Sequence, residues 1–353
     1  MKFLITILSA ALCLVLGALE VKVTETGTLV QNGRHNAFPS ICRYGDDLYF
    51  SFRSASGHRM TDGILPVYKS SDEGKTWVKI AEMKSNGDLR DPRCALVDGK
   101  LVIYAGEVIH NPDKSKSYVT RAYRMDEKDK FSEIPVSGFR KNSFFWGCVP
   151  YDGGYVATAY APTSKAEEAS LYKSKDGLTW QHWLTFPEKG NEVSMTVDAA
   201  GELHCVMRTV DHRTFRPFYY KVSRDGKIVK SVKLSEGMQG IMLQSVGDGF
   251  ILAARHWSWG KLGAEDFRTD LFSMDKDGNL KLIQRLPSRD DNSYAFVTQL
   301  KNGKWYTVYY SQHNYYEKFR SAEKGKDYNW QRMLGSHRPA DICFAVIETV
   351  PEK

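Results

Sequence analysis

A hairpin pattern that recurs six times along the chain limits the fold more than any other feature of the sequence. Each copy has an apolar-alternating run, a turn that contains Gly or Asp, and a second alternating run, as expected for an antiparallel β-hairpin. A period near fifty residues with such units is typical of propeller blades, so the sequence predicts an all-β, six-bladed β-propeller of four-stranded antiparallel blades. The copies begin 46 to 54 residues apart, at Pro39, Pro92, Trp146, Glu192, Gly240 and Tyr294.

A second motif keeps the same period as the hairpins. Residues 70–77 read SSDEGKTW, and further recognisable copies follow at residues 174–180, 223–227 and 273–279, with degraded copies near Asp126 and at residues 324–330. In this motif the Ser and Asp side chains bond backbone amides of a tight turn, while Gly takes the left-handed position. We therefore assign these turns a structural role and expect them to face away from a functional site.

The blades cannot bury both of their faces alone, so the repeat predicts a single propeller domain over residues 19–353. The N-terminal strand, residues 19–30, is expected to complete the last blade beside residues 341–350. Residues 1–18 have Lys2 followed by a short apolar run and small residues, which is typical of a signal peptide and predicts a secreted or periplasmic protein. No later segment is long and apolar enough to predict a membrane span.

Charge and cysteine content narrow the possible partners. The net charge is +7, but the basic residues are scattered, which gives little support for nucleic-acid binding. A mildly positive field instead favours an anionic ligand. Five cysteines follow residue 18, and an odd number without CxxC spacing argues against a disulfide framework or a zinc site. We expect a monomer that needs neither a metal nor a cofactor.

The ends of the predicted hairpins carry an unusual collection of side chains. In a propeller the inner strand of each blade ends at the central channel, so equivalent positions of different blades converge there. Glu192 and Arg208 lie at the two ends of the fourth hairpin and should be side by side at one edge of the sheet. A fold does not need such a collection, which therefore predicts a functional site on the axis. The other residues at these ends are His35, Arg53, Arg90, Asp91, Glu107, Trp146, Tyr160, Gln239, Arg255, Tyr294 and Tyr310.

The repeated Ser-x-Asp-x-Gly-x-Thr-Trp turns on a six-unit chain resemble those of the sialidase (neuraminidase) superfamily. The resemblance implies an exo-acting retaining glycosidase that hydrolyses a terminal sialic acid, or a related acidic sugar, from a glycan. Retaining sialidases use a tyrosine nucleophile activated by a glutamate, together with an aspartate acid/base and arginines that hold the substrate carboxylate.

Three segments carry the catalytic part of the resemblance. The family's tyrosine segment is similar to residues 292–310, NSYAFVTQLKNGKWYTVYY, which implies Tyr294 as the nucleophile. Its glutamate segment resembles residues 191–208 and implies Glu192 as the activating base. Its first-blade loop is similar to residues 51–77 and implies Asp62 as the acid/base. A phenol is a poor nucleophile near neutral pH, and proton transfer to a carboxylate would make it a good one.

The same segments imply the arginines that bind substrate. They give Arg53 and Arg208, while residues 267–278, FRTDLFSMDKDG, imply Arg268, with Arg255 as a rival. Arginine suits this role because its planar fork binds both oxygens of a carboxylate.

One position departs from the family pattern. The first-blade motif of sialidases carries an arginine just before an Ile-Pro pair, and this chain has Ala37 there. One third of the carboxylate clamp is therefore absent. One possibility is that Arg34, Arg90 or Arg93 takes the place of the missing arginine. The other is that the ligand is a different sugar, which is bound by His35, His58 and Asp91.

Two alternatives remain open from the sequence. The first is a glycosidase or polysaccharide lyase that acts on another sugar, with Tyr and His as acid and base. The second is a non-catalytic propeller that binds a glycan or a protein, in which Tyr294 only caps the channel and Glu192 only pairs with Arg208.

Overall fold

The computed structural model describes residues 20–161, 168–211, 213–256, 267–316, 318 and 337–350. In these residues, 24 strands form six separate four-stranded antiparallel sheets, which confirms the predicted six-bladed propeller. Blade 1 contains β2 (His35–Tyr44), β3 (Asp47–Ala55), β4 (Leu65–Ser70) and β5 (Val78–Met83). Blade 2 contains β6 (Asp88–Val97), β7 (Lys100–His110), β8 (Lys116–Glu127) and β9 (Lys130–Ile134). Blade 3 contains β10 (Phe144–Tyr151), β11 (Gly154–Ala161), β12 (Glu168–Ser174) and β13 (Gln181–Thr185). Blade 4 contains β14 (Gly190–Val197), β15 (Leu203–Thr209), β16 (Phe218–Val222) and β17 (Ile228–Lys233). Blade 5 contains β18 (Met238–Val246), β19 (Gly249–His256), β20 (Arg268–Met274) and β21 (Leu280–Arg285).

The sixth blade joins the two ends of the chain. It consists of β22 (Asn292–Gln299), β23 (Trp305–Ser311), β24 (Asp341–Val350) and β1 (Glu20–Val30), in the order β1-β24-β23-β22. β1 pairs antiparallel with β24 along its length, with Glu20 opposite Val350. The prediction that the N-terminal strand completes the last blade is therefore confirmed, and this pairing closes the ring of blades.

Burial along the strands follows their position in each blade. The second strand of blade 5, β19, is buried at every residue after its first, whereas the outermost strand of blade 4, β17, alternates between half-buried and exposed residues. Apolar side chains between neighbouring blades supply the core. At the junction of blades 1 and 6, for example, the ring of Trp77 lies 4.7 Å from Phe50 and 6.0 Å from Tyr306.

The repeated turns join the third and fourth strands of their blades. In the first copy, Asp72 Oδ1 accepts hydrogen bonds from the backbone N–H of Thr76 and from Ser70 Oγ, both at 2.8 Å. Because the strands alternate in direction, these turns lie at the end of each sheet opposite to the start of the inner strand. Within the described ranges, no helix has the length and apolar character of a membrane span, and the five cysteines found there are all unpaired thiols.

Every inner strand contains a β-bulge close to its start. Five of the six bulged residues have a positive φ, between 44° for Glu192 and 56° for Phe38, which is uncommon for residues other than glycine. A bulge turns the side chain of its extra residue out of the regular alternation. We call these residues the bulge ring: Phe38, Asp91, Trp146, Glu192, Gly240 and Tyr294.

Candidate active site

The bulge ring alternates in chemistry around the propeller. Blades 2, 4 and 6 contribute the ionisable side chains of Asp91, Glu192 and Tyr294, while blades 1, 3 and 5 contribute Phe38, Trp146 and Gly240. The ring of Tyr294 lies edge-on to Phe38 at 5.0 Å and to Trp146 at 5.9 Å. A Cβ atom at Gly240 would lie only 2.7 Å from Cδ2 of Tyr294, so the glycine makes room for the phenol.

Tyr294 and Glu192 are in direct contact, although 102 residues separate them in the chain. The hydroxyl of Tyr294 lies 3.1 Å from both carboxylate oxygens of Glu192 and donates to them. Arg208 donates from Nη1 to Glu192 Oε1, so these two residues also lie side by side. Both Glu192 and Tyr294 are buried. The structure therefore brings together three of the residues that the sequence selected.

The surroundings of Tyr294 keep its phenol protonated. Burial, followed by the negative charge of Glu192, raises the pKa of Tyr294 above its ordinary value. The positive charges of Arg208 and Arg255 act in the opposite direction, and the guanidinium carbon of Arg255 lies 5.5 Å from the centre of the tyrosine ring. The phenol is thus neutral at ordinary pH, but two arginines are placed to stabilise a phenolate when its proton leaves.

Arg255 occupies the position in blade 5 that Arg208 occupies in blade 4. Arg255 pairs with Gln239, the residue before the bulge, as Arg208 pairs with Asn191. Its Nη2 donates to Asp291 Oδ1 at 3.0 Å.

Arg268 lies elsewhere in blade 5. It pairs with His256, and its charge acts on Asp290 and His313. The geometry around Tyr294 therefore favours Arg255 over Arg268 as the second arginine of the site.

Asp291 connects blades 1, 5 and 6, and the sequence analysis did not identify it. Its Oδ2 lies 2.9 Å from His35 Nε2 and 2.5 Å from His58 Nδ1, and its Oδ1 accepts from Tyr310 at 2.6 Å. Although burial opposes ionisation, the charge of His58 and the hydrogen bonds from both histidines hold the pKa of Asp291 well below its usual range. Burial lowers the pKa of His58 to about 4, so this imidazole is neutral near pH 7.

The same three residues are a possible set of metal ligands, since the relevant atoms of His35, His58 and Asp291 lie within 4.8 Å of one another. Two observations argue for a hydrogen-bonded network instead. Both histidines lie at hydrogen-bonding distance from one carboxylate oxygen. The positive charge of Arg90 acts on both imidazoles, and that of Arg53 acts on His35. A cation bound there would be repelled by these arginines, so we assign the cluster a positioning role.

The sequence implied that Arg53 binds substrate, but in the structure its guanidinium is bonded to other protein groups. Arg53 is fully buried, and its three guanidinium nitrogens donate to Asp88 Oδ1 at 2.8 Å, to the carbonyl of Gly57 at 3.1 Å and to the carbonyl of Met60 at 2.6 Å. These bonds fasten the first-blade loop to blade 2. These bonds use three of the five N–H donors of the guanidinium, and because the side chain is fully buried it is not exposed to a substrate carboxylate.

Asp62 lies in the same loop and is half-exposed. Its carboxylate accepts from the backbone N–H and the hydroxyl of Ser56, at 3.0 and 3.1 Å, and from Arg34 Nη2 at 3.2 Å. Burial raises the pKa of Asp62, but the bonds from Ser56 and the charge of Arg34 together outweigh it and keep this pKa below its ordinary value. In this arrangement Asp62 is an anion at neutral pH and holds no proton to donate.

Arg90 and Arg93 flank Asp91 on β6. Arg90 donates from Nε to Asp88 Oδ2 at 2.5 Å and from Nη2 to the carbonyl of His58 at 3.0 Å, so it also supports the loop.

Arg93 is buried between two aromatic rings, with its guanidinium carbon 4.4 Å from the centre of Trp146 and 4.7 Å from that of Phe296. These rings belong to blades 3 and 6, so Arg93 spans the axis. The negative charges of Asp91 and Glu192 act on it, which places it close beside the bulge ring.

No protein-family model matches this chain, and no curated protein sequence matches it either. Solved structures do match it. The alpha-L-arabinanase of Penicillium chrysogenum, complexed with arabinobiose, has a TM-score of 0.62 at 14% identity over 93% of this chain and 98% of the arabinanase. The sialidase of Trypanosoma rangeli, in complex with the inhibitor DANA, has a TM-score of 0.61 at 13% identity over 89% of this chain.

The comparison with the trypanosomal sialidase covers 55% of that enzyme, so this chain spans about half of its length. The endosialidase of phage phi92 has a TM-score of 0.63 at 10% identity, over 93% of this chain and 69% of the endosialidase. At these identities the likeness concerns the fold. The chain therefore has the six-bladed propeller fold found in sialidases, as its repeated turns predicted.

Proposed function

We propose that this protein is a retaining glycoside hydrolase of the sialidase type, with Tyr294 as nucleophile and Glu192 as its base. The observation that carries the proposal is the buried contact between the Tyr294 hydroxyl and both oxygens of the Glu192 carboxylate, at 3.1 Å. A nucleophile in hydrogen-bonding reach of a base, with the base oriented by a third group, is the usual arrangement for covalent catalysis. Arg208 is that third group.

The chemistry follows from this geometry. Tyr294 attacks the anomeric carbon while its proton moves to Glu192, and the oxygen of the leaving group departs with a proton from an acid. The covalent glycosyl-tyrosine is then hydrolysed by water, and the proton returns from Glu192 to the phenolate. A neutral phenol approaches an anomeric carbon that bears a carboxylate more easily than a second carboxylate would, because two anions repel each other.

We propose a terminal sialic acid, or a related acidic sugar, as the substrate. Two arginines, Arg208 and Arg255, flank Tyr294 on neighbouring blades and supply positive charge where a substrate carboxylate would lie. The net charge of +7 also favours an anionic glycan. The sequence of residues 1–18, which lie outside the described ranges, supports the further proposal that the enzyme is exported and meets its glycan outside the cytoplasm.

A second candidate, a glycosidase that acts on another sugar, is favoured by the first blade. Ala37 is fully buried where the sialidase pattern has an arginine, and its neighbour across the hairpin, Arg53, is fully buried and donates hydrogen bonds to protein groups. His35 lies two residues before Ala37 on β2, and its ring lies 5.3 Å from that of His58. Burial lowers the pKa of both imidazoles, so they are neutral near pH 7 and suit a hydroxyl better than a carboxylate.

A panel of aryl glycosides that includes the sialoside tests both candidates. We expect the wild type to release the aryl group from the sialoside and Tyr294→Phe to lose turnover while retaining ligand binding. Tyr309→Phe is the matched control, because Tyr309 is also buried in blade 6 but bonds the carbonyl of Pro287, away from the bulge ring. Activity on a neutral sugar alone would remove sialic acid as the substrate and retain the Tyr–Glu mechanism.

A fluorinated substrate of the active sugar separates the remaining alternatives. A retaining hydrolase accumulates a covalent sugar on Tyr294, which peptide mass spectrometry locates. A lyase turns over without this adduct, and a non-catalytic propeller binds the sugar without turnover. Either result would contradict the proposed mechanism.

A further inference from the structure

Asp91 is the one acidic member of the bulge ring whose carboxylate is unused. Its side chain is 9% exposed, and among the described residues no donor forms a hydrogen bond with either of its oxygens. The closest cation is Arg93, whose Nη2 lies 3.9 Å from Asp91 Oδ1, beyond hydrogen-bonding distance. Neither oxygen of Asp91 is among the fully buried side-chain atoms that lack a hydrogen-bond partner, so this carboxylate remains accessible to a ligand at the axis.

The backbone conformation of Asp91 restricts the position of its carboxylate. Asp91 has φ 49° and precedes Pro92, which restricts its conformation further. Its bulge has the same place in blade 2 as those of Glu192 and Tyr294 in blades 4 and 6. These three residues therefore surround the axis from alternate blades. The charge of Asp91 acts on Tyr294, and the charge of Glu192 acts on Asp91.

Burial makes the protonated form of the Asp91 carboxyl more accessible than it is for an ordinary aspartate. Burial is the main cause and raises the pKa of Asp91 to about 6, and the negative charge of Glu192 on β14 acts in the same direction. Arg93 and Arg90 on its own strand and Arg53 on β3 act in the opposite direction without reversing the shift. Glu192 is bonded to Arg208, whereas Asp91 has no hydrogen-bond donor among the described residues. Environments that differ in this way suit Glu192 to the role of base and Asp91 to that of acid.

A raised pKa by itself does not select Asp91. Burial also raises the pKa of Asp290 to about 6, and Asp290 Oδ1 has no hydrogen-bond partner among the described residues. Asp290, however, lies outside the bulge ring, where Arg338 and Arg289 act on it. Position in the ring, rather than ionisation, distinguishes Asp91, and Asp290 is available as a control.

We propose that Asp91, rather than Asp62, is the general acid/base of the reaction; this rests on the proposed glycosidase function. In the first step the carboxyl proton of Asp91 moves to the glycosidic oxygen, the bond from that oxygen to the anomeric carbon breaks, and Tyr294 forms its bond to the carbon as its own proton passes to Glu192. In the second step the Asp91 carboxylate takes a proton from water, which attacks the anomeric carbon and displaces the tyrosine.

Leaving-group dependence tests this assignment. Protonation matters most for poor leaving groups, so Asp91→Asn should slow hydrolysis of a phenyl glycoside by about 10²–10⁴-fold, the range for loss of a general acid. A dinitrophenyl glycoside, which departs as a stable anion, should be much less affected in its first step. Asn also tolerates the left-handed conformation, so the substitution leaves the bulge intact. Asp290→Asn should leave hydrolysis of both substrates unchanged, and Asp62→Asn should slow both substrates equally or not at all.

Rescue by azide gives an independent readout. With the dinitrophenyl substrate, Asp91→Asn should accumulate the glycosyl-tyrosine, because no base activates water, and added azide should restore turnover by attacking the intermediate directly. Selective loss on poor leaving groups or azide rescue in Asp62→Asn, but not in Asp91→Asn, would overturn the assignment while leaving the tyrosine mechanism intact. Equal losses of Asp91→Asn on all substrates would also overturn it. A wild type that traps no sugar on Tyr294 would instead show that the proposed function itself has failed.

Discussion

At the scale of single residues, the site depends on a base that is held in place by an ion pair. Glu192 bonds both Tyr294 and Arg208, so its loss removes the proton acceptor and leaves a half-buried guanidinium with one partner fewer. Stability and catalysis therefore have to be separated when Glu192 is changed.

We predict that Glu192→Gln lowers kcat/KM by about 10²–10⁴-fold, because the amide cannot accept the phenol proton. The measurement is steady-state kinetics on the active aryl glycoside, together with thermal unfolding. Glu107→Gln is the matched control, since Glu107 is a buried carboxylate that bonds Arg121 in blade 2. Similar losses of stability with activity lost only in Glu192→Gln are expected, whereas comparable activity in the two variants would argue against the base.

The pH dependence of stability reports on Asp91 without a substrate. Its folded-state pKa of about 6 lies above the ordinary value of about 3.9, so ionisation is less favourable in the folded state than in the unfolded state. The free energy of unfolding therefore falls as pH rises from about 4 to about 6 and loses nothing further from this group at higher pH. Below pH 4 the carboxyl is protonated in both states and makes no difference.

We predict that Asp91→Asn is more stable than the wild type by about 2–3 kcal/mol at pH 7.5, and that the difference disappears as pH falls to 4. Urea unfolding across this pH range measures it. Asp290→Asn should show the same trend, because the pKa of Asp290 is also raised to about 6, but should retain activity. A stability difference for Asp91→Asn that is constant with pH would mean that its carboxyl is not shifted.

Residue identities at the axis were accessible from the sequence, but their bonding was not. Tyr294, Glu192 and Arg208 stand out because odd side chains recur at the ends of a regular hairpin. In contrast, no local sequence pattern shows that Arg53 donates hydrogen bonds to Asp88 and to two loop carbonyls. These hydrogen bonds depend on tertiary contacts, which cannot be inferred from the order of residues along the chain.

At the scale of single elements, the bulge of each inner strand decides which residues face the site. The hairpins are visible in the sequence because alternation and turn residues are local signals. The bulges are not, since they show only in the pairing register. Glu107 and Tyr160 were expected to be the equivalents of Arg208, but the residues paired to the position before the bulge are Gly106 and Ala159.

The bulge of blade 5 gives a direct test of this role. We predict that Gly240→Ala destabilises the protein and lowers kcat/KM, because its Cβ would lie 2.7 Å from the Tyr294 ring and push the phenol away from Glu192. Gly247→Ala is the matched control: its φ of 57° is close to the 55° of Gly240, but no atom lies within 4 Å of the added carbon. Both variants should lose about 1–2 kcal/mol from the left-handed backbone.

The additional loss in Gly240→Ala, relative to Gly247→Ala, isolates the contact with Tyr294. Unfolding in urea measures the stability difference, and kinetics measures the activity. Equal activity in the two variants would show that the phenol can shift without consequence, which would weaken the case for a preorganised nucleophile.

At the scale of the whole molecule, the fold follows from period and closure rather than from a recognisable overall sequence. Identity to the matching solved structures is only 10–14% where the TM-score is 0.61–0.63. A propeller tolerates such divergence because each blade needs only alternation, turns and apolar faces. The cluster of His35, His58 and Asp291 illustrates the limit, since it joins residues more than 230 positions apart and has no sequence signal.

Ring closure links the N-terminus of the described chain to the nucleophile. β1 is the outer strand of the blade whose inner strand, β22, carries Tyr294, and β1 buries Val21 and Val30 against that blade. We predict that a protein beginning at residue 31 unfolds at a temperature lower by roughly 10 °C or more and loses activity, because blade 6 loses its fourth strand and β24 becomes an unpaired edge. A protein beginning at residue 19 is the control and should match the full chain in both measurements. If the shorter protein kept its unfolding temperature, closure by β1 would not be what holds blade 6, and with it Tyr294, against Glu192.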